Sequence, residues 1–338
     1  MATAVEATVG EPLPAPAPHQ EHGSQTLPSA PERVLIVRLG SMGDIVHTLP
    51  AIGTLRRAWP KATLGWVVEE RWAELLCSSA EFRQGPRGLE KPLVDVLHVV
   101  RTREWRDHPL AITTRTDIRK AVCEVRSLLY DVAFDFQSAL RSAAFAQLSR
   151  APRRIGFSRT IEWPASLFYT ARIAALGTHV VEQNLSLALA SEPNATPSFA
   201  FDLPRDREAD AWAAGQIARR GFSQFCLMNP AAGWGAKCWP AERFGEVARC
   251  LRSMGVATLV NLAPGEEQMA NGVVEHAAGS AEAITCSISE LIALTRRARC
   301  HADSVNPRSD CGKGRRLSCN SVSPRPRSTV DAGNSAME

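Results

Sequence analysis

The sequence is poor in aromatic residues and has no long apolar run. Aromatic residues make up 6% of the 338 residues, and only two of them are tyrosines. No apolar stretch approaches the roughly 20 residues that cross a bilayer, so we expect no transmembrane helix. Residues 1–32 contain no lysine or arginine and so lack the basic start of a signal peptide. These absences favour a cytoplasmic protein.

The nine cysteines are scattered and lack paired CxxC spacing. An odd number without such pairs indicates reduced thiols, and predicts neither a zinc site nor a disulfide framework. The net charge of +4 favours an anionic partner. Arginines concentrate in two stretches, 101–120 and 141–159, which are either solvated helix faces or anion-binding surfaces. No aromatic platform accompanies them, so nucleic acid is not an expected partner.

Composition divides the chain into segments. Residues 1–32 are rich in alanine and proline and predict a disordered tail. Hydrophobic residues make up 45% and charged residues 22% of the whole, which is typical of globular proteins. A proline-rich, polar stretch at 191–204 predicts a linker between a first domain, 33–190, and a second, 205–299. Residues 300–338 contain one leucine and no isoleucine, phenylalanine, tyrosine or tryptophan, which predicts a low-order tail.

The segment RVLIVRLGSMGDIVHTLP carries the first candidate site. Its short β-branched run predicts a buried strand, and Gly40 and Gly43 favour a tight turn before a helix. Ser41 and Asp44 are placed to bond the free amides of that helix. Asp44 is therefore either a helix cap or a group that faces a ligand at the carboxyl end of the strand. Pro50 requires a kink or a helix that starts near Thr48.

Further strand patterns alternate with helix-length segments, as in a parallel α/β sheet. They are Trp66 to Glu70, Asp95 to Val100, Asp131 to Phe136, Phe225 to Pro230 and Val256 to Leu262. The loop after Phe225 to Pro230 contains Gly233, Gly235 and Lys237 and precedes a helix, an arrangement that favours a pyrophosphate. Glu266 and Glu267 are either bonded to ribose hydroxyls or the acidic first turn of a helix.

Six segments together resemble the lipopolysaccharide inner-core heptosyltransferases of glycosyltransferase family 9, and within them the type I enzymes. These segments are GSMGDIVHTLP, WVVEE, FDFQSALRSA, SLFY, NPAAGWGAKCWPAERF and APGEE, in order between Arg33 and Arg299. The resemblance implies the GT-B fold, an α/β architecture in which two Rossmann-like domains face each other across a cleft. It also implies inverting transfer of heptose from ADP-heptose to the Kdo sugar of Kdo2-lipid A, without a metal or other cofactor.

The resemblance assigns roles to residues of this chain. Asp44 matches the catalytic base, and Lys237 matches the lysine at the donor phosphates, with Gly233 and Gly235 in the same loop. Glu266 matches a residue near the donor ribose. The residues expected to bind the acceptor are Ser41, Gly43, Arg103, Arg106, Gln137 and Arg141. We expect a monomer in peripheral contact with the cytoplasmic face of the inner membrane.

The sequence departs from the family after Arg299. The family continues with a strand, a DTGP loop, a further strand and a closing helix, and none is expected in residues 300–338, which indicates a shifted reading frame or truncated gene model. The second domain is therefore expected to be incomplete. Two alternatives stay open: transfer to a heptose acceptor, as in type II enzymes, and a non-catalytic homologue that only binds nucleotide or anionic glycolipid.

Overall fold

A computed structural model describes residues 30–230, 239–263 and 265–303. Within these ranges the strands are β1 Arg33–Val37, β2 Thr63–Glu69, β3 Val96–Val100, β4 Val132–Asp135, β5 Arg153–Phe157, β6 Ala171–Ile173, β7 Phe225–Asn229, β8 Ala257–Asn261, β9 Glu282–Ile284 and β10 Cys300–Asp303. The helices are α1 Met42–Ala58, α2 Thr102–Asp107, α3 Ile112–Ser127, α4 Leu140–Leu148, α5 Val180–Ser191, α6 Arg207–Arg219, α7 Ala241–Ser253, α8 Glu267–His276 and α9 Ile288–Arg297.

The chain divides into two compact units. The first comprises the residues as far as Ala73 together with Arg83–Arg87 and Leu93–Asp202. The second comprises Glu74–Phe82, Gly88–Pro92 and the residues from Leu203 onward. Each unit is built on a parallel sheet with helices between its strands, so the α/β class predicted from the sequence is confirmed.

The first unit contains six parallel strands in the order β3-β2-β1-β4-β5-β6. Its central strand β1 is enclosed, with Val34 through Val37 all fully buried, as a continuous β-branched run between two neighbouring strands requires. All six strands point the same way, so the loops that follow them meet at one edge. This carboxyl edge of the first sheet carries most of the residues predicted to function.

Helix α1 follows β1 and begins at Met42. The alternative in which the helix starts near Thr48 is therefore wrong, and Pro50 lies inside the helix. Proline removes one backbone donor there, while Thr48 and Thr54 each donate a side-chain hydrogen bond to a carbonyl four residues earlier. The buried face of α1 packs against α5, and this tertiary contact outweighs the local cost of the proline.

The second unit contains four parallel strands in the order β10-β7-β8-β9. Strand β10 corrects the prediction that residues 300–338 form a low-order tail and supply no strand: Cys300 through Asp303 pair with Cys226 through Asn229. The backbone of these four residues satisfies the open edge of β7, and strand pairing of this kind does not require a strongly apolar sequence. The rest of the predicted tail, 304–338, lies outside the described residues, as do residues 1–29 of the predicted disordered tail.

Among the helices of residues 30–230, 239–263 and 265–303, none combines the length and the apolar character that a membrane-spanning helix requires.

Candidate active site

Asp44 lies in the first turn of α1, where the chain leaves the carboxyl end of β1. Its Oδ2 accepts hydrogen bonds from the Ser41 amide, at 3.0 Å, and from the Ser41 hydroxyl, at 3.1 Å. Its Oδ1 lies 2.9 Å from Nη2 of Arg38. The side chain nevertheless remains 41% exposed. Asp44 thus caps the helix and also presents a carboxylate to solvent. The two roles considered for this residue, a helix cap and a group that faces a ligand, are therefore compatible.

Arg38 is one residue of this site that sequence reasoning missed. Its side chain is only 10% exposed, and it also donates from Nη1 to the carbonyl of Phe136, which follows β4. Burial lowers the pKa of the guanidinium, while the carboxylates of Asp44 and Asp135 oppose that change. A buried arginine that bridges two strand ends in this way fixes the position of the Asp44 carboxylate.

The turn between β1 and α1 leaves space beside Asp44. A Cβ atom added at Gly40 would lie 2.9 Å from the indole nitrogen of Trp72, so this position is closely packed. Gly43 is exposed, and a Cβ atom added there would meet no neighbouring side chain or loop within 4 Å. Gln137 is held against the same turn, because its Oε1 accepts the Leu39 amide at 2.9 Å. The structure therefore brings Gly43 and Gln137 to the segment that carries Asp44.

The arginines predicted to bind an acceptor differ in how firmly they are held. Arg141 donates from Nη1 to the Thr102 hydroxyl at 3.2 Å, and that hydroxyl donates to the buried carboxylate of Glu69. Arg103 is exposed, and Arg106 is exposed and paired with the adjacent Asp107 at 3.2 Å. Arg141 is thus anchored at the edge of the sheet, whereas Arg103 and Arg106 are exposed.

Two histidines lie near Asp44 that the sequence did not single out. His47 is one helical turn after Asp44, and its ring centroid is 5.6 Å from that of His179, the N-cap of α5. Burial, and secondarily His179, lower the pKa of His47. His47 is therefore favoured in its neutral form, in which it can accept as well as donate a hydrogen bond.

The second unit has its own polar residues at the carboxyl ends of its strands. Asn261, at the end of β8, donates to Asn229 at the end of β7, at 3.0 Å. Cys286 donates to Asn261 Oδ1 at 3.4 Å. Glu266 is half-buried at the start of α8, and burial, followed by the neighbouring Glu267, raises its pKa. These residues line the edge at which a parallel sheet normally receives its ligand.

Three residues predicted to bind the donor cannot be placed against this edge. Gly233, Gly235 and Lys237 belong to residues 231–238, which lie outside the described ranges. Within the described ranges, no group of three or more histidine, cysteine or carboxylate side chains is arranged to hold a metal ion.

Comparison with known proteins identifies the family to which this chain is similar. The model of glycosyltransferase family 9 (heptosyltransferase) matches residues 116–300, more than half of the chain. Lipopolysaccharide heptosyltransferase 1 of Pseudomonas aeruginosa is 29% identical over 226 residues, which are 66% of this chain and 59% of that protein. The enzyme of the same name from Escherichia coli K12 is 29% identical over 258 residues, covering 72% of each chain.

Solved structures agree with the fold. The E. coli heptosyltransferase WaaC with ADP has a TM-score of 0.63 and 24% identity, covering 80% of this chain and 81% of that one. WaaC has also been solved with ADP-2-deoxy-2-fluoro heptose. The GT-B class predicted from the sequence is thereby confirmed. Because its strands, its order of motifs and the family model all agree, this chain belongs to glycosyltransferase family 9, the heptosyltransferases.

Proposed function

We propose that this protein transfers heptose from ADP-heptose to the Kdo sugar of Kdo2-lipid A, at the cytoplasmic face of the inner membrane. The chain spans 59% of the P. aeruginosa relative and 72% of the E. coli K12 relative, so the activity is inferred for this chain rather than transferred from them. Family membership and the nucleotide-heptose analogue bound by WaaC support the donor. The exposed, oriented carboxylate of Asp44 is the observation that carries the proposal.

The proposed reaction is a single displacement with inversion. Asp44 accepts the proton of an acceptor hydroxyl as that oxygen forms a bond to the anomeric carbon of the heptose. The bond from this carbon to the diphosphate breaks at the same time, and ADP leaves with the bonding electrons. Arg38 and Ser41 hold the carboxylate while one side of it stays open to the acceptor. Pre-orientation of this kind removes much of the entropic cost of bringing base and hydroxyl together.

The acceptor groups proposed around this base are anionic. Arg141 is anchored by Thr102 at the same edge of the sheet, and its planar fork suits carboxylate and phosphate groups. Arg103 and Arg106 add exposed positive charge. Lys237, Gly233, Gly235 and Glu266 are proposed for the donor on the basis of the family resemblance.

Replacing Asp44 by Asn tests the catalytic role. Asn is nearly isosteric and retains an oxygen that can accept the Ser41 bonds, but it cannot take a proton. We expect kcat for transfer from ADP-heptose to Kdo2-lipid A to fall by about 10³-fold or more, with ADP affinity unchanged by calorimetry. Asp202→Asn, which removes an exposed carboxylate of the same unit, serves as the matched control. Full turnover by Asp44→Asn would remove the basis of the proposal.

The same assay separates the alternatives for the acceptor. A wild-type chain that transfers only to a heptose-terminated acceptor belongs with the type II activity. A wild-type chain that binds ADP without turning over either acceptor is a non-catalytic homologue.

A further inference from the structure

Asp135 lies at the carboxyl end of β4, and its side chain is fully buried. A buried carboxylate is costly unless donors surround it, and four donors surround this one. The amides of Gln137 and Ser138 donate to Oδ1 at 2.8 and 2.9 Å, and the hydroxyls of Ser142 and Tyr169 donate to Oδ2 at 2.8 and 2.7 Å. Burial raises the pKa of Asp135, and these hydrogen bonds oppose the rise. The four donors therefore suit an ionised carboxylate.

The two hydroxyls come from the segments FDFQSALRSA and SLFY, to which no role has been given so far. Gly156 of β5 lies opposite Asp135 in the strand register. A Cβ atom at Gly156 would overlap the Tyr169 ring, so the absence of a side chain there lets the tyrosine reach Asp135. Asp135 itself has no access to solvent and cannot touch a substrate. Any effect on the reaction must pass through its neighbours.

Asp135 shapes the turn that holds the end of β1. Its two bonds to backbone amides fix the three residues that follow it. Two contacts to the end of β1 come from this turn. The Phe136 carbonyl accepts from Nη1 of Arg38, and Oε1 of Gln137 accepts the Leu39 amide at 2.9 Å. The segment that leads into the proposed base is therefore held by a turn that depends on Asp135.

The charge of Asp135 also acts on Arg38. Burial lowers the pKa of the Arg38 guanidinium, and the carboxylates of Asp44 and Asp135 both oppose that change. The guanidinium thus interacts with two carboxylates, one 41% exposed and one fully buried. Because the buried carboxylate balances part of the positive charge, the exposed carboxylate is held less tightly in its ionised form than it would be by an arginine with no other partner.

We propose that Asp135 is a positioning residue for the Asp44 base: it holds the turn that anchors Arg38, and it balances part of the Arg38 charge. This inference rests on the proposed function, because a base needs both a fixed direction and the ability to take a proton. The other titratable groups near Asp44 are His47, on α1, and His179, beside His47 at the N-cap of α5. The variants below leave both histidines unchanged.

Asp135→Asn tests the role of the charge, because it keeps an oxygen that can accept the two amides. Arg38 is then balanced by Asp44 alone, so the base should take a proton less readily. We expect the plateau kcat to fall by about tenfold or more, and the acid limb of the kcat/KM profile to move down by about half a pH unit or more. The KM for ADP-heptose should stay within about twofold. An acid limb that stays in place would overturn the proposal, even if the variant is less stable.

Asp95→Asn is the matched control for loss of a carboxylate that balances a buried arginine. Asp95 pairs with the buried Arg56 at 2.5 Å in the same unit, and it lies just before β3, at the opposite edge of the sheet. This variant should lower Tm and leave both kcat and the acid limb unchanged. An equal shift of the acid limb in this control would contradict a specific role for Asp135.

Tyr169→Phe is a milder change that keeps the carboxylate in place. It removes one of the four donors, so the ionised form of Asp135 becomes less favoured, and kcat should fall by about threefold or more. Tyr130→Phe removes the hydroxyl of another buried tyrosine, which lies beside His98 just before β4, and it should keep kcat within about twofold. Equal kcat values in the two variants would count against the proposal.

A double variant tests whether Asp135 acts through Arg38. If it does, Arg38→Met/Asp135→Asn should keep kcat within about threefold of Arg38→Met alone, because the connection is already broken. Losses that multiply in the double variant would show that Asp135 acts independently of Arg38, and would overturn the proposal.

The carbon-13 signal of the Asp44 carboxyl group gives a readout that needs no turnover. Its titration should move to lower pH in Asp135→Asn, by about half a pH unit or more, and stay in place in Asp95→Asn. A wild-type chain that turns over no acceptor but shows this movement would refute the proposed function and support the coupling between the two carboxylates. An active wild-type chain whose Asp135→Asn variant shows no movement would refute the coupling alone.

Discussion

Replacing Arg38 by Met tests whether the orientation of Asp44 depends on this buried arginine. Methionine retains the apolar stem and removes the guanidinium. The Phe136 carbonyl then loses its donor, and an unsatisfied buried carbonyl costs about 1–3 kcal/mol. Loss of the Asp44 contact adds less, because Asp44 is 41% exposed and water can replace the arginine; exposed pairs contribute under about 1 kcal/mol.

The variant should therefore be destabilised by about 2 kcal/mol, which corresponds to a Tm lower by about 4–8 °C for a protein of this size. The effect on catalysis should be larger. The Asp44 carboxylate would keep Ser41 on Oδ2 and lose the contact that fixes Oδ1, and a base displaced by about 1 Å costs about 10²-fold in rate. We expect kcat to fall by this factor while the KM for ADP-heptose stays within about twofold.

Two variants show whether this loss is specific. Arg38→Lys keeps the charge but offers a single donor group, so it should recover about tenfold of the lost kcat. Arg297→Met is the matched control, because Arg297 similarly bonds one carboxylate, Asp210 at 2.6 Å, and one carbonyl, Ala293 at 3.1 Å, in the second unit. It should lower Tm without changing kcat. If Arg38→Met keeps wild-type kcat at a temperature where it is folded, Arg38 does not position the base.

Two further predictions concern buried groups away from Asp44. Tyr130→Phe removes the hydroxyl that lies 2.7 Å from Nε2 of the buried His98, and denaturant unfolding should show a loss of about 1–3 kcal/mol; an unchanged midpoint would contradict this. Burial, and secondarily Glu290, raise the pKa of Cys286 to about 12, so at pH 8 its thiolate fraction is about 10⁻⁴. Iodoacetamide followed by peptide mass mapping should modify Cys286 far more slowly than the exposed Cys123, and equal rates would show that Cys286 is not shielded.

Local sequence was sufficient to predict the strand, turn and helix that carry Asp44. The run from Val34 to Val37 favours a buried strand, and the polar residues Ser41 and Asp44 suit the first turn of a helix, although a helix start near Thr48 stayed open. Both signals act over a few residues, so no distant contact is needed to interpret them. Pro50 was misleading because the free-energy cost of a proline inside a helix can be judged from the local sequence. The packing of α1 on α5, which offsets this cost, involves residues more than 100 positions away in sequence.

Strand β10 escaped prediction for a related reason. The composition of residues 300–338 averages over many positions, but a strand needs only a few residues and an unpaired neighbour. Cys300 and Ala302 are described beside β7, where they pack against the cluster of Cys226, Leu251 and Val256. The side of β7 that pairs with β10 exists only once β7 and α7 have folded. Pairing with it determines the conformation of Cys300–Asp303 more strongly than the polarity of these residues does.

Arg38 shows most clearly where sequence reasoning stops. An arginine directly after a buried strand is by itself compatible with a solvated charge. The structural role of Arg38 depends on two acceptors at very different distances along the chain. Asp44 lies six residues ahead and the Phe136 carbonyl 98 residues ahead. The second acceptor reaches Arg38 only because β4 pairs with β1 in a register that places Asp135 opposite Val37. Sequence can therefore locate the proposed base, but its orientation depends on strand pairing, and a substitution that shifted this register would impair the base while leaving every residue of the GSMGD turn in place.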